Sequence, residues 1–550
     1  MNVAQNITDT LLRALGSVGT EGSHASLERP ADLKNGDYSA GVALQSAKKL
    51  GKNPHDLAQE IVAKLGTIDG VEKIEIAGAG FINFYLAPEA LAASLEEARS
   101  QDMWGANEML KGKRIMVEYT DPNPFKEFHI GHLMSNAIGE SISRLLQFSG
   151  AEVKRANYQG DVGPHVAKAI WGMIRLGINP HDSAELGRAY SFGAQAYESD
   201  TSAKADIDSI NAKIYEGSDM EINGLYAAGC QTSLRHFEEL YKILGTKFDF
   251  YFFESETAPR GLELVRKNPK IFVESEGAIV YRGPHTRVFL TSKGLPTYET
   301  KELGLAELKW EKWMFDSSIT VTAHEQADYF VVVLTAMREV LPEVASKISH
   351  ISHGMMRFAE GKMSSRTGNV ITGESLLNEL IEAAKTRASE SRADDKEKLA
   401  EYIAVGAIKY QVLKQQINKD IIFDRDRALS LDGDSGPYLQ YAHARAHQIL
   451  EKAKEQGVGG KVNANKASDD LSRTLHRFPE IIEYAASLSE PHILTVYLLD
   501  VASRFNSWYA QVQILDGSPE QAHKVALADA VRKTLKNGLW VLGIPAPEKM

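Results

Sequence analysis

RIMVEYTDPNPFKEFHIGHLMSNAIGESISRLLQFSGAEVKRANYQ, residues Arg114 to Gln159, is the stretch whose reading decides the fold. RIMVEY is a short β-rich run and reads as a strand. TDPNPFKEF is a loop broken by Pro122 and Pro124. From about Gly131, the residues Met134, Ala137, Ile138, Ile142 and Leu145 recur on one helical face, and Gly150 stands where the helix should stop. EVKRANYQ is a second strand. Strand, loop, helix, strand is a βαβ unit, and it predicts a parallel sheet. His129-Ile130-Gly131-His132 sits where the loop becomes the helix. A helix N-terminus offers unpaired N–H groups and the positive end of a dipole, a ready site for an anion. Two imidazoles there can donate to phosphate oxygens, and the glycine between them leaves room for a flat base or ribose. With 16 His and 43 Gly, a His-x-Gly-His should arise by chance roughly 0.04 times in a chain of this composition. Its place at the first βα turn of a parallel sheet is the stronger signal.

Outward from this unit the chain divides. Its 550 residues exceed what one core covers and predict two to four domains. Residues 1–108 read as an α+β domain. AGVALQSAKKLGKN and HDLAQEIVAKLG are helical in pattern, and KIEIAGAGFINFYLAP alternates as strand, turn, strand. GAGFIN imitates a dinucleotide-binding turn but lies between two strands and lacks the third glycine. Residues 109–375 form the sheet domain, with an insertion around 181–284. SITVTA and YFVVVLTAMREVL then resume strand and helix. Residues 376–550 read as almost wholly helical. The expected class is therefore α/β, a Rossmann-like parallel-sheet domain between an N-terminal α+β domain and a C-terminal all-helical domain.

Composition narrows the function. With 43% hydrophobic and 25% charged residues, the chain is that of a globular protein, and no apolar run reaches the roughly 20 residues of a membrane span. MNVAQNITDTLLRALG has neither the basic flank nor the apolar run of a signal peptide, so a cytoplasmic protein is expected. The single cysteine, Cys230, excludes an internal disulfide and a multi-cysteine zinc site. No dedicated metal site is expected. His324-Glu325-x-x-Asp328 lacks the second histidine of a zinc helix, and DRDRALSLDGD lacks the glycine and glutamate offsets of a calcium loop. A net charge of -11 argues against nucleic acid held by the whole surface, so any RNA must be read at local, salt-sensitive sites.

A second motif lies far downstream: Gly361-Lys362-Met363-Ser364-Ser365-Arg366. A loop of glycine and serine can close the cations of Lys362 and Arg366 over a triphosphate. HIGH followed by KMSSR resembles the signature pair of class I aminoacyl-tRNA synthetases. The flanks resemble the arginyl-tRNA synthetases in particular: Glu118, Asn123 and Lys126 ahead of HIGH, NYQGDVG after the next strand, DGDSGPYLQYAHARAHQIL in the helical region, and NGDYSAGVALQSAKKLGKNP with AGAGFINFYL at the N-terminus.

That resemblance implies an arginine–tRNA ligase using ATP with Mg²⁺, a tRNA(Arg) partner, a monomer, and arginine activation only after tRNA is bound. It implies that His129, His132, Lys126, Lys362 and Arg366 act on the phosphates, with Gly131, Met363 and Ser364 also around ATP. Arg366 stands where the family has a second lysine, and Lys126 matches the lysine that assists when the loop's own is missing. For arginine it implies Glu118, Asn123, His129, Gln326 and the Tyr298/Glu302 pair, with Glu302 in the place of an aspartate. Glu254 is a further carboxylate for the guanidinium. A planar carboxylate is what a guanidinium fork requires; a solvated helix pair is the alternative for Tyr298 and Glu302. Tyr438, Tyr441, Arg445 and Tyr509 offer stacking surfaces to unpaired bases, and core packing is the alternative for each. A nucleotidyltransferase without tRNA and a non-catalytic tRNA-binding relative remain the rival readings.

Overall fold

The structure is a computed structural model that describes residues 3–20, 25–359 and 371–550. The N-terminal helix Val3–Ser17 and the helices Val42–Leu50 and Pro54–Leu65 cover an antiparallel sheet of β1 (Tyr38–Ala40), β2 (Val71–Ala77) and β3 (Phe81–Leu86), ordered β1-β3-β2. GAGFIN makes the β2–β3 turn, where Gly78 and Gly80 have φ of 55° and 130°.

The next strands are β4 (Arg114–Glu118), β5 (Glu152–Gln159) and β6 (Phe250–Phe253). Then β7 (Phe272–Ser275), β8 (Ala278–Arg282) and β9 (Thr286–Leu290) form a small antiparallel sheet. β10 (Ser317–Ala323) and β11 (Ile348–His353) return to the main sheet. Its order is β11-β10-β4-β5-β6, and every neighbouring pair is parallel. The strand order turns back between β4 and β10, and ligands of such sheets bind at that switch, beyond the carboxyl ends of the strands.

The stretch 181–284, expected as one insertion, is three things. Helices Ser183–Ser199, Thr201–Glu216 and Met220–Leu244 are an excursion, β6 is the outer strand of the main sheet, and β7 and β8 belong to the small sheet. The aromatic run FDFYFFES hid β6, because an edge strand with half-buried faces carries no clean alternation.

Beyond residue 371 come the helices Gly373–Glu390, Lys396–Leu413, Gly436–Glu455, Phe478–Leu488, Pro491–Gln511 and Gln521–Val541. One exception to the helical expectation is β13 (Ile421–Phe423), which pairs in parallel with β12 (Met356–Phe358). Among the described residues, no helix is long and apolar enough to cross a membrane.

The helix Ile130–Phe148 is the pillar of the molecule, buried on nearly every side. One side of it meets the sheet, where Ser135 Oγ donates to Val321 O of β10 at 2.8 Å, and another meets the helical region, where Ser141 Oγ donates to Val541 O at 3.1 Å. Glu140, 2% exposed, accepts from the Tyr119 hydroxyl at 2.5 Å and pairs with Arg144 at 2.6 Å and Arg155 at 3.1 Å. Burial alone would raise its pKa, but Arg144, Arg155, Lys409 and Tyr119 together hold it down to about 2. Arg144 also donates to Trp540 O and Gly245 O. Lys409, fully buried, donates to Leu244 O at 2.7 Å and Gly543 O at 2.9 Å.

Candidate active site

β4 ends at Glu118, and the loop that follows is bent against its own preferences. Thr120, Asp121 and Phe125 all have positive φ, of 79°, 47° and 67°. Non-glycine residues in that region are held there by their surroundings, and such strain gathers at functional sites. Here the restraints are visible. Thr120 N–H donates to Ser135 Oγ at 3.0 Å, Asp121 Oδ1 accepts from Tyr158 N–H at 2.7 Å, and Phe125 N–H donates to Ser233 Oγ at 3.0 Å. Asn123 Oδ1 accepts from Gly160 N–H at 3.0 Å. A Cβ on residue 160 would lie 2.3 Å from that oxygen, so this approach needs the glycine.

The loop delivers His129 as the N-cap of the pillar helix and His132 in its first turn. Their rings stack with centroids 3.4 Å apart. His132 Nδ1 accepts from His129 N–H at 3.2 Å, which leaves its proton on Nε2. Burial, then His129, push the pKa of His132 far below the ordinary value; burial and Lys126 lower that of His129. Both therefore donate as neutral imidazoles. Gly131 serves the rings themselves: a Cβ there would stand 3.1 Å from His129 Cε1. Lys126 Nζ lies 5.4 Å from the centre of the Tyr190 ring, and burial lowers its pKa.

Lys362, Met363, Ser364 and Arg366 lie outside the described residues. The segment that follows them is anchored at the site. Gly373 N–H donates to Phe128 O at 2.8 Å, and Thr372 bridges His129. A Cβ on residue 373 would meet His129 O at 2.8 Å. His236, from the excursion, pairs with Glu374 at 2.8 Å, and that bond raises the histidine's pKa.

Across the crevice, the helix Tyr298–Lys312 carries Tyr298, exposed at its first turn, and Glu302. It crosses the helix Glu254–Lys267 so closely that a Cβ on Gly261 would fall 1.9 Å from Thr300 O. This crossing brings Lys301 to Glu254, at 2.5 Å with both side chains buried. A second buried pair joins Lys309 to Glu118 at 3.0 Å. Two of the carboxylates assigned to arginine are thus already matched by lysines. Glu302 has no hydrogen bond or salt bridge among the described residues. Burial, then Glu118, raise its pKa, while Lys309 pulls the other way. Gln326 ends a short turn, His324–Gln326, just past β10, and is exposed.

Glu118, Asn123, His129, Glu254 and Gln326 therefore all lie at the carboxyl edge of the sheet. Sequence reasoning missed Lys301, Lys309 and Asp121. Lys309 had a signal, seven residues after Glu302 and so near the same helix face.

Residues 94–425 match the family described as the class I (R) tRNA synthetase catalytic domain, residues 439–550 the DALR anticodon binding domain, and residues 1–86 the arginyl tRNA synthetase N-terminal domain. The chain belongs to the class I arginyl-tRNA synthetases. This synthetase is 31% identical to an arginine–tRNA ligase of Treponema denticola, over 96% of this chain and 95% of that one. It is 33% identical to one from Clostridium kluyveri, over 95% and 96%. The solved arginyl-tRNA synthetase of Thermus thermophilus superposes with a TM-score of 0.79 at 28% identity, covering 99% of both chains.

In the anticodon-domain match of the synthetase, Arg445 lies between two rings, 4.6 Å from Tyr441 and 4.8 Å from Tyr509, and donates to Asn506 at 2.5 Å. Tyr438, Tyr441 and Arg445 line a groove of about 390 Å³. Tyr509 and Arg445 line a neighbouring one of about 660 Å³. These four residues form one surface cluster.

Proposed function

We propose that this chain activates L-arginine with ATP to arginyl-adenylate and transfers the arginyl group to the 3′-terminal adenosine of tRNA(Arg). The observation that carries the reading is Glu302: a part-buried carboxylate with no salt bridge among the described residues, beside the Lys301–Glu254 and Lys309–Glu118 pairs. An unmatched carboxylate in such a cleft favours a ligand that brings its own charge and several N–H donors, which a guanidinium does. Glu302 and Tyr298 hold the side chain, and Asn123 and Gln326 face the amino-acid head. The arginine carboxylate attacks the α-phosphate of ATP, and pyrophosphate leaves. His129 and His132, through N–H donors on neutral rings, and the helix N-terminus stabilise the charge that develops. Lys126, Lys362 and Arg366 add cations, and Gly131, Met363 and Ser364 border the nucleotide. Mg²⁺ arrives with ATP and shields its phosphates. A neutral amino acid leaves Glu302 unmatched, so specificity needs no separate editing site.

The tRNA lies along the helical domain with unstacked bases on Tyr438, Tyr441, Arg445 and Tyr509. We read the domains as 1–108, 109–375 and 376–550, and the working form as a cytoplasmic monomer. The test is aminoacylation of total tRNA with each amino acid in turn, in ATP and Mg²⁺. Arginine alone should be attached; charging with another amino acid would overturn the reading.

A further inference from the structure

One face of the excursion helix Met220–Leu244 touches segments on both sides of the crevice. Tyr226, Gly229, Ser233 and His236 follow one another at steps of three and four residues, so they share that face. The Tyr226 hydroxyl donates to Asp161 Oδ2 at 2.8 Å. Asp161, buried just beyond β5, also accepts from Ser255 N–H at 2.9 Å and from Ser255 Oγ at 2.6 Å. It thereby caps the helix Glu254–Lys267, whose own N-cap, Phe253, makes no side-chain cap bond. A Cβ on Gly160, the residue before it, would stand 2.3 Å from Asn123 Oδ1 and 3.3 Å from Glu254 Oε1. Asp161 is therefore on the amino-acid side. Further along the helix, a Cβ on Gly229 would fall 2.2 Å from the Phe125 ring, and Ser233 Oγ accepts the Phe125 N–H at 3.0 Å. Last, His236 Nε2 donates to Glu374 Oε2 at 2.8 Å. The N–H groups of Gly373 and Glu374 both reach Phe128 O, at 2.8 and 3.3 Å, next to His129 on the phosphate side.

We propose that this helix is a splint that keeps the amino-acid side and the phosphate side of the crevice in register, with Tyr226 and His236 as its positioning residues, a role that rests on the arginine reading and extends it to the excursion. Attack of a carboxylate on the α-phosphate needs the reacting atoms at roughly 3–3.5 Å, and a misplacement of about 1 Å can cost about 10²-fold in rate. Neither positioning residue is itself assigned to a substrate. Tyr226 acts through Asp161 on the turn that carries Glu254, and His236 acts through Glu374 on the backbone at Phe128 and His129. Between them, Gly229 and Ser233 brace Phe125 in its left-handed conformation, φ 67°. At 1.5 Å of rise per residue, Tyr226 and His236 are about 15 Å apart along the helix. They cannot touch, so any coupling between them passes through the helix and the segments it braces.

A double-mutant cycle on the full-length protein, read as kcat/KM for arginine in the charging of total tRNA, tests this. Tyr226→Phe removes one hydroxyl, and His236→Ala removes the donor to Glu374. Each should lower kcat/KM roughly 10-fold, as for losing a hydrogen bond to a charged group. A splint detached at one end no longer sets the register, so the double variant should also stand at roughly 10-fold. Two independent contacts at this separation would multiply to about 100-fold, within about twofold. His236→Gln, whose amide can still donate to Glu374, should return to within about twofold of the wild type. Should His236→Ala fail to fold, Glu374→Ala removes the same contact from its more exposed partner. A multiplicative double variant, single variants within about twofold of the wild type, or no rescue by glutamine would each overturn the splint and leave the arginine reading standing. A wild type that charges a different amino acid overturns the arginine reading alone, and the cycle is then read with that amino acid; a wild type that charges none overturns both.

Discussion

Glu140→Gln should loosen the catalytic signature from behind. The substitution keeps the shape of the side chain and removes a charge shared by Arg144 and Arg155. With the Glu140 pKa depressed from 4.5 to about 2, its charge contributes about 3 kcal/mol to the folded state. Breaking a buried pair by removing one partner costs about 3–5 kcal/mol, so the two routes agree. For a depressed carboxylate, this stability is fully present above the unfolded value and disappears as pH falls through the folded one. The wild type should therefore lose it progressively below about pH 4.5 and be without it below about 2, whereas the glutamine variant lacks it at every pH. A chain of several domains does not unfold in one step, so the measurement must be local. Hydrogen exchange of the amides of Ile130–Phe148 at neutral pH should quicken by about two orders of magnitude in Glu140→Gln. Tyr119, Arg144 and Arg155 then share a single neutral acceptor oxygen, so turnover should fall as the loop after Tyr119 relaxes. Helix exchange within twofold of the wild type would refute the reasoning, because it would mean that Arg144 and Arg155 are as well satisfied without the carboxylate.

Three further outcomes are expected. His132→Ala should lower kcat by about 10²-fold with little change in the KM for arginine, since its Nε2–H acts on charge that appears only in the transition state; steady-state kinetics on folded protein decides this, and near-normal turnover removes the role. The His236–Glu374 contact raises the histidine's pKa, so its contribution is complete below the usual 6.5 and is lost as pH rises through the folded value; the protection of the Gly373 and Glu374 amides, relative to their intrinsic exchange at each pH, should fall over that rise in the wild type and stay flat in His236→Gln. Arg445→Ala should raise the KM for tRNA several-fold and steepen no salt dependence elsewhere, leaving the KM values for arginine and ATP unchanged; equal tRNA kinetics would return the Tyr441–Arg445–Tyr509 stack to packing alone.

The βαβ unit was legible because Met134, Ala137, Ile138, Ile142 and Leu145 obey one period, and the helix they predict is the one observed. Its burial on the opposite face was not. Ser135, Asn136 and Ser143 look like a solvated side, yet all are buried and satisfied by backbone or side-chain partners. Residue type says whether a group needs a partner, not whether water or protein supplies it. The site divides in the same way. Motifs local in sequence, such as His129 to His132, could be read directly. Glu118 and Lys309 come from segments far apart in the chain, and only the tertiary fold reveals that one matches the other.

The carbonyls that receive Ser141, Arg144 and Lys409 belong to Val541, Trp540 and Gly543, the first two 400 and 396 residues further along the chain than their donors. On the ribosome, the helix that begins with His129 is made early and must wait. Until residue 543 has left the exit tunnel, its back is open and the Lys409 ammonium lacks one of its two carbonyls. A nascent chain halted before that point should carry both signature motifs and yet be inactive, an enzyme of translation whose catalytic helix waits on a segment made some 400 residues later.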